Sequence, residues 1–135
     1  LRQGLADGTV DAICSDHAPV DEDVKQLPFA EAETGATALE LLLPLTLKWA
    51  EESALALPSA LAKITADPAR VLNIDAGHLA VGGTADICIF DPGRYWKIEP
   101  SALKSQGKNT PFLGFELKGK VRCTLVAGQI VYEAG

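Results

Sequence analysis

The chain has 135 residues, 47% hydrophobic and 22% charged, the balance of an ordinary globular protein with apolar residues enough for one core or pieces of two. A formal net charge of −6 and a pI near 4.8 leave no basic footprint for nucleic acid. No apolar run reaches the roughly 18 residues of a membrane span, and no basic stretch leads into an apolar one at the start as in a signal peptide.

Leu1 to Asp7 reads as the end of a helix, with Gly8 as its stop. Val10 to Cys14 comes next as a short strand, apolar almost throughout as in a parallel strand buried on both faces. It ends in Ser15-Asp16-His17-Ala18-Pro19, where Pro19 stops regular pairing. A helix leading into a buried strand that ends in polar residues is the grammar of an α/β barrel or doubly wound sheet, whose chemistry sits at the carboxyl ends of strands. Val20 to Gly35 reads as an acidic loop, long enough to serve as a lid or binding loop. From Ala36 to Glu52 the period is helical, with Leu39, Leu42, Leu43, Leu47 and Ala50 on one face; Pro44 predicts a kink or a displaced start. A second helix is expected over Ser59 to Ala66 after Pro58. A third is expected over Pro68 to Leu72, with Asp67 as N-cap and Pro68 in its first position.

After Asp75 the pattern becomes all β. Ala85 to Phe90, Tyr95 to Ile98, Val121 to Val126 and Gln129 to Tyr132 read as strands, and Ala127-Gly128 as a hairpin turn. The fold class is therefore α/β over residues 1–75, followed by a small β-subdomain over 76–135. A closed eight-stranded barrel needs roughly 250 residues. With one barrel-type strand visible, the chain is not expected to close a barrel alone, and apolar surface around Ile13, Leu39 and Leu42 is expected to drive self-association.

Among residues that carry chemistry, Asp16 stands out. A carboxylate at the end of a buried strand can ligate a metal or move a proton to and from water. On spacing alone, capping the turn beside Pro19 is the more economical reading. His17 points the opposite way from Asp16 on a strand, so it reads as a hydrogen-bonded structural residue rather than a ligand. His78 comes after Gly77 in a turn and is expected to face solvent. With two histidines and neither H-x-H nor H-x-x-x-H, no complete hydrolase metal centre is expected within the chain, and tightly held zinc and turnover are expected of it only in company. Ser15, Asp16 and His17 are adjacent, which says nothing of a triad, and Gly82-Gly83 reads as a turn rather than a phosphate loop. Lys25 is a candidate for an anionic substrate, although a solvated loop lysine is the commoner outcome. Cys14, Cys88 and Cys123 lie in apolar runs without a C-x-x-C pair, so each is expected to act as a small hydrophobe, and a reducing cytoplasm fits best.

Ser15-Asp16-His17-Ala18-Pro19 resembles the motif at the end of the eighth barrel strand of cyclic amidohydrolases, and its SDHAP form resembles dihydroorotases in particular. Lys25, Pro28-Phe29 and Gly35 to Leu45 (GATALELLLPL) are similar to the next stretch in that family. Ala66 to Leu72 (ADPARVL) resembles the helix after the barrel. Gly83 to Asp91, Asn109 to Gly114 (NTPFLG), Gly119 to Thr124 and the Ala127-Gly128 turn resemble its C-terminal β-subdomain, part of a β-sandwich. The resemblance spans essentially the whole chain; the β motifs are shared with hydantoinases and allantoinases. It implies the last strand and helices of a TIM barrel and a zinc-dependent, reversible ring closure of N-carbamoyl-L-aspartate to dihydroorotate in pyrimidine synthesis. Asp16 would then be metal ligand and proton shuttle, with Phe29 and Ala30 touching substrate and Lys25 near its charge. The remaining ligands belong to earlier strands of the family, so the chain alone is expected to be inactive.

One departure matters. The family usually places a histidine for the substrate carboxylate directly after SDHAP, and here that residue is Val20. The resemblance therefore implies either an enzyme in which another group such as Lys25 makes that contact, or a non-catalytic relative that scaffolds aspartate transcarbamoylase. A hydantoinase or allantoinase type of cyclic amidase is a third reading. A homo-oligomer is expected, and neither a nucleic-acid nor a membrane partner is.

Overall fold

The computed structural model describes residues 1–135. Five helices come first: α1 (Arg2–Asp7), α2 (Glu22–Lys25), α3 (Leu42–Glu52), α4 (Leu57–Ala62) and α5 (Ala66–Leu72). Three strands complete the chain as one antiparallel sheet in the order β1 (Ile87–Lys97), β2 (Glu116–Val126), β3 (Gln129–Glu133).

α1 ends at Gly8, whose φ of 83° is the left-handed conformation that glycine adopts without a Cβ penalty. The expected strand at Val10 to Cys14 is not formed; the segment runs without a ladder. A parallel strand takes its hydrogen bonds from neighbouring strands, and here the backbone ties are Val10 N–H to Gly4 O (2.8 Å) and Ile13 N–H to Lys63 O (2.9 Å), neither of them to a strand. Cys14 in this segment and Cys88 on β1 are exposed, so neither packs as the small hydrophobe expected; all three cysteines are free.

The segment expected as a plain loop contains α2, with Glu22 and Asp23 in its first turn and Lys25 at its end, charges that suit the helix dipole. Pro44 displaces the start of α3 to Leu42, after a 3₁₀ turn over Leu39–Leu41. Proline in the first helical turn removes no intrahelical bond, so the helix continues without a break. Its buried side is Pro44, Thr46, Leu47, Trp49 and Ala50, and Leu39, assigned to that side by periodicity, is 59% exposed because it precedes the α-helix. α4 begins at Leu57, with Pro58 in its first turn. α5 begins at Ala66 rather than Pro68, because Asp67 does not cap: its carboxylate is taken by Lys63 at 3.2 Å and Arg70 at 3.1 Å.

The two expected strands around Pro92 are one strand. Between the pairs Asp91↔Lys120 and Tyr95↔Lys118 the Pro92-Gly93-Arg94 segment bulges outward, and Asp91 Oδ1 accepts the N–H groups of Gly93 (2.9 Å) and Arg94 (3.2 Å). Proline has no N–H for the ladder, and a bulge is where a strand tolerates it. The Ala127-Gly128 hairpin is present, with φ of 48° and 78°, the two positive values of a type I′ turn.

α3 packs on β2. Gly119, with φ 95°, is buried where any Cβ would overlap Leu47 Cδ1. Leu41, Ile98, Leu103 and Leu117 form the core under this contact, flanked by Leu45, Trp96 and Phe112. A smaller cluster, Trp49, Ala50 and Ala60, takes in Leu5, Ile13 and Leu55. The packing is sparse: the chain exposes 9030 Å², whereas a compact protein of 14.2 kDa exposes about 6,800 Å². Ile89, Val126, Ile130 and Val131 are each at least half exposed on the sheet, so a layer of apolar surface is left open there.

Candidate functional site

Asp16 sits in the turn between the extended segment and Pro19 with φ 47°. Three other non-glycine residues have positive φ, and each has a local reason. Asn73 ends α5 as its left-handed cap, Ala127 is in the hairpin, and Ala54 is in the turn after α3. Asp16 terminates no helix and closes no hairpin. A left-handed non-glycine residue costs about 1 kcal/mol or more, less for Asp than for bulkier side chains, and such strain persists only where flanking structure enforces it.

The flanks are tied on the C-terminal side of Asp16 at three successive residues. His17 turns inward, and its Nδ1 accepts the N–H groups of Ala38 and Leu39, both at 3.1 Å. These are donors at the start of the helical run that lack intrahelical acceptors, so the imidazole serves as a cap. Ala18 N–H donates to Ala36 O at 3.1 Å. Pro19 lies against Gly107, where a built Cβ would stand 2.6 Å from Pro19 Cβ. With its backbone held, the Asp16 side chain stands exposed, and no lysine, arginine or histidine pairs with it.

The other expected site residues lie on the loop after Pro19. Phe29 is wholly exposed and Ala30 exposed at the tip of a turn in which Glu31 N–H (2.8 Å) and Ala32 N–H (3.0 Å) both donate to Pro28 O. The N–H groups of Phe29 and Ala30 have no acceptor within the chain. Lys25 donates to the Glu33 carbonyl and so braces its own loop. Val20, where the resemblance leads one to expect a histidine, is half-buried. His78 faces solvent as expected, with Asp75 Oδ1 3.6 Å from Nε2.

Glu40 was not singled out by sequence. Its carboxylate accepts Lys104 N–H (2.7 Å), Ser105 N–H (2.6 Å) and the Ser105 hydroxyl (2.8 Å), tying the helical half to the loop before β2. Burial pushes its pKa up, but the hydrogen bonds from Ser105 and Lys104 outweigh that and leave it below 4.5. Thr37, fully buried, joins the same halves: its N–H donates to Asn109 O at 2.6 Å and its hydroxyl to Gly107 O at 2.7 Å.

As a metal site, the chain offers one corner. Asp16 presents an uncommitted carboxylate, and no three His, Cys, Asp or Glu side chains converge anywhere. The largest cavity, about 570 Å³ between α4 and β1, is lined by Leu61, Ile64, Ile87 and Phe90 among others and does not include Asp16.

The model of the amidohydrolase family matches residues 2–132. The chain belongs to the amidohydrolase family. Curated relatives of this amidohydrolase chain include the dihydroorotase of Geobacter sp. (strain M21), 44% identical over 135 residues, and that of Syntrophus aciditrophicus (strain SB), 47% identical over 133. They cover 100% and 98% of this chain, which in turn spans 32% and 31% of their lengths. Among solved structures, L-hydantoinase (dihydropyrimidinase) from Arthrobacter aurescens superposes with a TM-score of 0.85 at 31% identity, over 99% of this chain and 31% of its own. Dihydropyrimidinase from Brevibacillus agri NCHU1002 gives 0.89 at 22%, over 98% of this chain and 30% of its own, a likeness of fold.

Proposed function

We propose that this amidohydrolase chain is the last third of a dihydroorotase, which closes N-carbamoyl-L-aspartate to dihydroorotate reversibly. In this reading residues 1–75 complete a TIM barrel and 76–135 are part of a β-sandwich, and the whole is a zinc-dependent cytoplasmic homo-oligomer. The observation that carries the reading is Asp16, a carboxylate held in a strained turn by its neighbours while its own oxygens remain uncommitted. The choice of dihydroorotase over hydantoinase rests on identities of 44–47% to the former along the whole chain, against 31% to the L-hydantoinase.

Asp16 contributes one metal ligand, the rest coming from polypeptide outside this chain. When bound, the metal supplies a Lewis acid that polarises the ring carbonyl and makes water a nucleophile near neutral pH. Within this chain, Asp16 takes a proton from the attacking water and hands it to the leaving ring nitrogen; in the cyclisation direction the transfers run in reverse. The unbonded N–H groups of Phe29 and Ala30 bind substrate oxygens. Lys25 exchanges its Glu33 carbonyl for a substrate carboxylate, taking over the contact that Val20 cannot make.

Val20 also favours a second reading, a non-catalytic partner of aspartate transcarbamoylase, because a valine has nothing to donate to an anion. Zinc-loaded intact polypeptide, assayed with dihydroorotate in the opening direction and N-carbamoyl-L-aspartate in the closing direction, separates the two. Turnover is expected. A protein that turns over neither, yet co-purifies with aspartate transcarbamoylase, would be the scaffold, and one that opens hydantoin or allantoin instead would belong with those amidases.

A further inference from the structure

Asp16 departs from ordinary backbone geometry although its side chain touches nothing that would hold it there. The ties nearest to it lie in residues 17–19, immediately after it, and two separate elements meet at that segment. From the helical side, His17 Nδ1 accepts Ala38 N–H and Leu39 N–H at 3.1 Å each. From the sheet side, the loop preceding β2 reaches it through Thr37, whose N–H and hydroxyl donate to Asn109 O (2.6 Å) and Gly107 O (2.7 Å). Asn109 Nδ2 also donates to Gly35 O at 3.3 Å, and Gly107 leaves no room for a Cβ beside Pro19. Ala18 N–H to Ala36 O links the two grips. Thr37 and Gly107, 70 positions apart, are thus joined beside Pro19, which lies three residues after the exposed carboxylate.

We propose that His17, with the 105–110 loop on the opposite side, forms a brace that sets the direction in which Asp16 presents its carboxylate, so that His17, Thr37 and Asn109 are positioning residues for the reaction. This deepens the function proposed above and rests on it. The imidazole works as an acceptor at Nδ1, and what matters is an acceptor atom one bond from Cγ, not a charge. Asparagine places an oxygen at the same distance along the side chain; glutamine places it one bond too far.

The experiment compares His17→Asn, His17→Gln and His17→Ala in the zinc-loaded intact enzyme. Steady-state kinetics are measured beside hydrogen exchange at the amides of Ala18, Ala38 and Leu39. Misaligning a catalytic group by about 1 Å costs on the order of 10²-fold in rate, so kcat is expected to fall about that far in the alanine and glutamine variants, with KM within roughly threefold. The asparagine variant should recover to within about fivefold of wild type. Exchange should quicken in the alanine and glutamine variants and stay near wild type in the asparagine one. Three variants with wild-type kcat, or losses that track the unfolded fraction with no rescue by asparagine, would overturn the brace. If the wild type itself lacks turnover, the dihydroorotase reading fails on its own, and exchange decides the brace: equal rates in all three variants would end it, and protection restored by asparagine alone would uphold it.

Discussion

Glu40 provides a test of how the two halves of the chain are held together. Three donors converge on its carboxylate from Lys104 and Ser105, and hydrogen bonds to a charged group contribute about 1.5–3 kcal/mol each when fully shielded. Glu40 is half-buried, so water screens part of this, and glutamine retains one acceptor oxygen while presenting an NH₂ to the Ser105 hydroxyl. Glu40→Gln in the intact polypeptide is therefore expected to destabilise by about 1–3 kcal/mol at pH 7. The pH dependence comes from the direction of the pKa. Glu40 titrates below 4.5 in the fold, so its contribution is fully present above 4.5 and is lost as pH falls through the lower, folded value. Below that value the wild type carries a neutral carboxyl and resembles the glutamine variant. Urea unfolding at pH 7 and at successively lower pH measures the gap; it should shrink steadily as the pH falls below the ordinary glutamate range. A gap of the same size at every pH would show that the carboxylate charge does not hold the joint.

On the proposed dihydroorotase function, Asp16→Asn keeps the shape of the side chain but cannot carry a proton between water and nitrogen, so turnover of dihydroorotate by the intact polypeptide should fall at least about 10³-fold with its fold retained by circular dichroism. Gly119→Ala meets both an unfavourable φ and Leu47, and should destabilise by about 2–4 kcal/mol in urea; a loss under about 1 kcal/mol would mean α3 can shift away from β2. The isolated 135-residue chain should self-associate in sedimentation experiments through its open sheet face, and Ile130→Lys with Val131→Lys should weaken that association; a monodisperse wild-type monomer would contradict the expectation.

Local signals were legible in the sequence where one or two residues determine a conformation. Gly8, Pro44 and Ala127-Gly128 each act within a turn of chain, and the helix stop, the displaced start of α3 and the hairpin are where they imply. Val10 to Cys14 misled because apolar composition records what a strand can bury, whereas a strand exists through a ladder, and this chain supplies no neighbour. Glu116 to Lys120 was missed as strand because Gly119 interrupts its alternation; the position it leaves empty is filled by Leu47 from α3. Glu40, Thr37 and Asn109 left no periodic trace, since a side chain bonded to backbone 64 to 74 positions away has no spacing to read.

The core and the candidate site are parts of one structure. Leu41 lies two residues after the amide of Leu39 that His17 accepts, and Leu103 lies just before the loop that carries Gly107 and Asn109. Both belong to the same buried cluster with Ile98 and Leu117, so the helical grip and the sheet grip on the Asp16 turn start from one packed centre. A strained backbone needs anchors that do not move relative to each other, and two anchors rooted in one close-packed cluster satisfy that where two independent loops would not. This explains why the β half, which contributes no acid or base to the turn, is joined to it by side chains as well as by packing. The β half is thereby anchored beside an exposed carboxylate with which it makes no hydrogen bond.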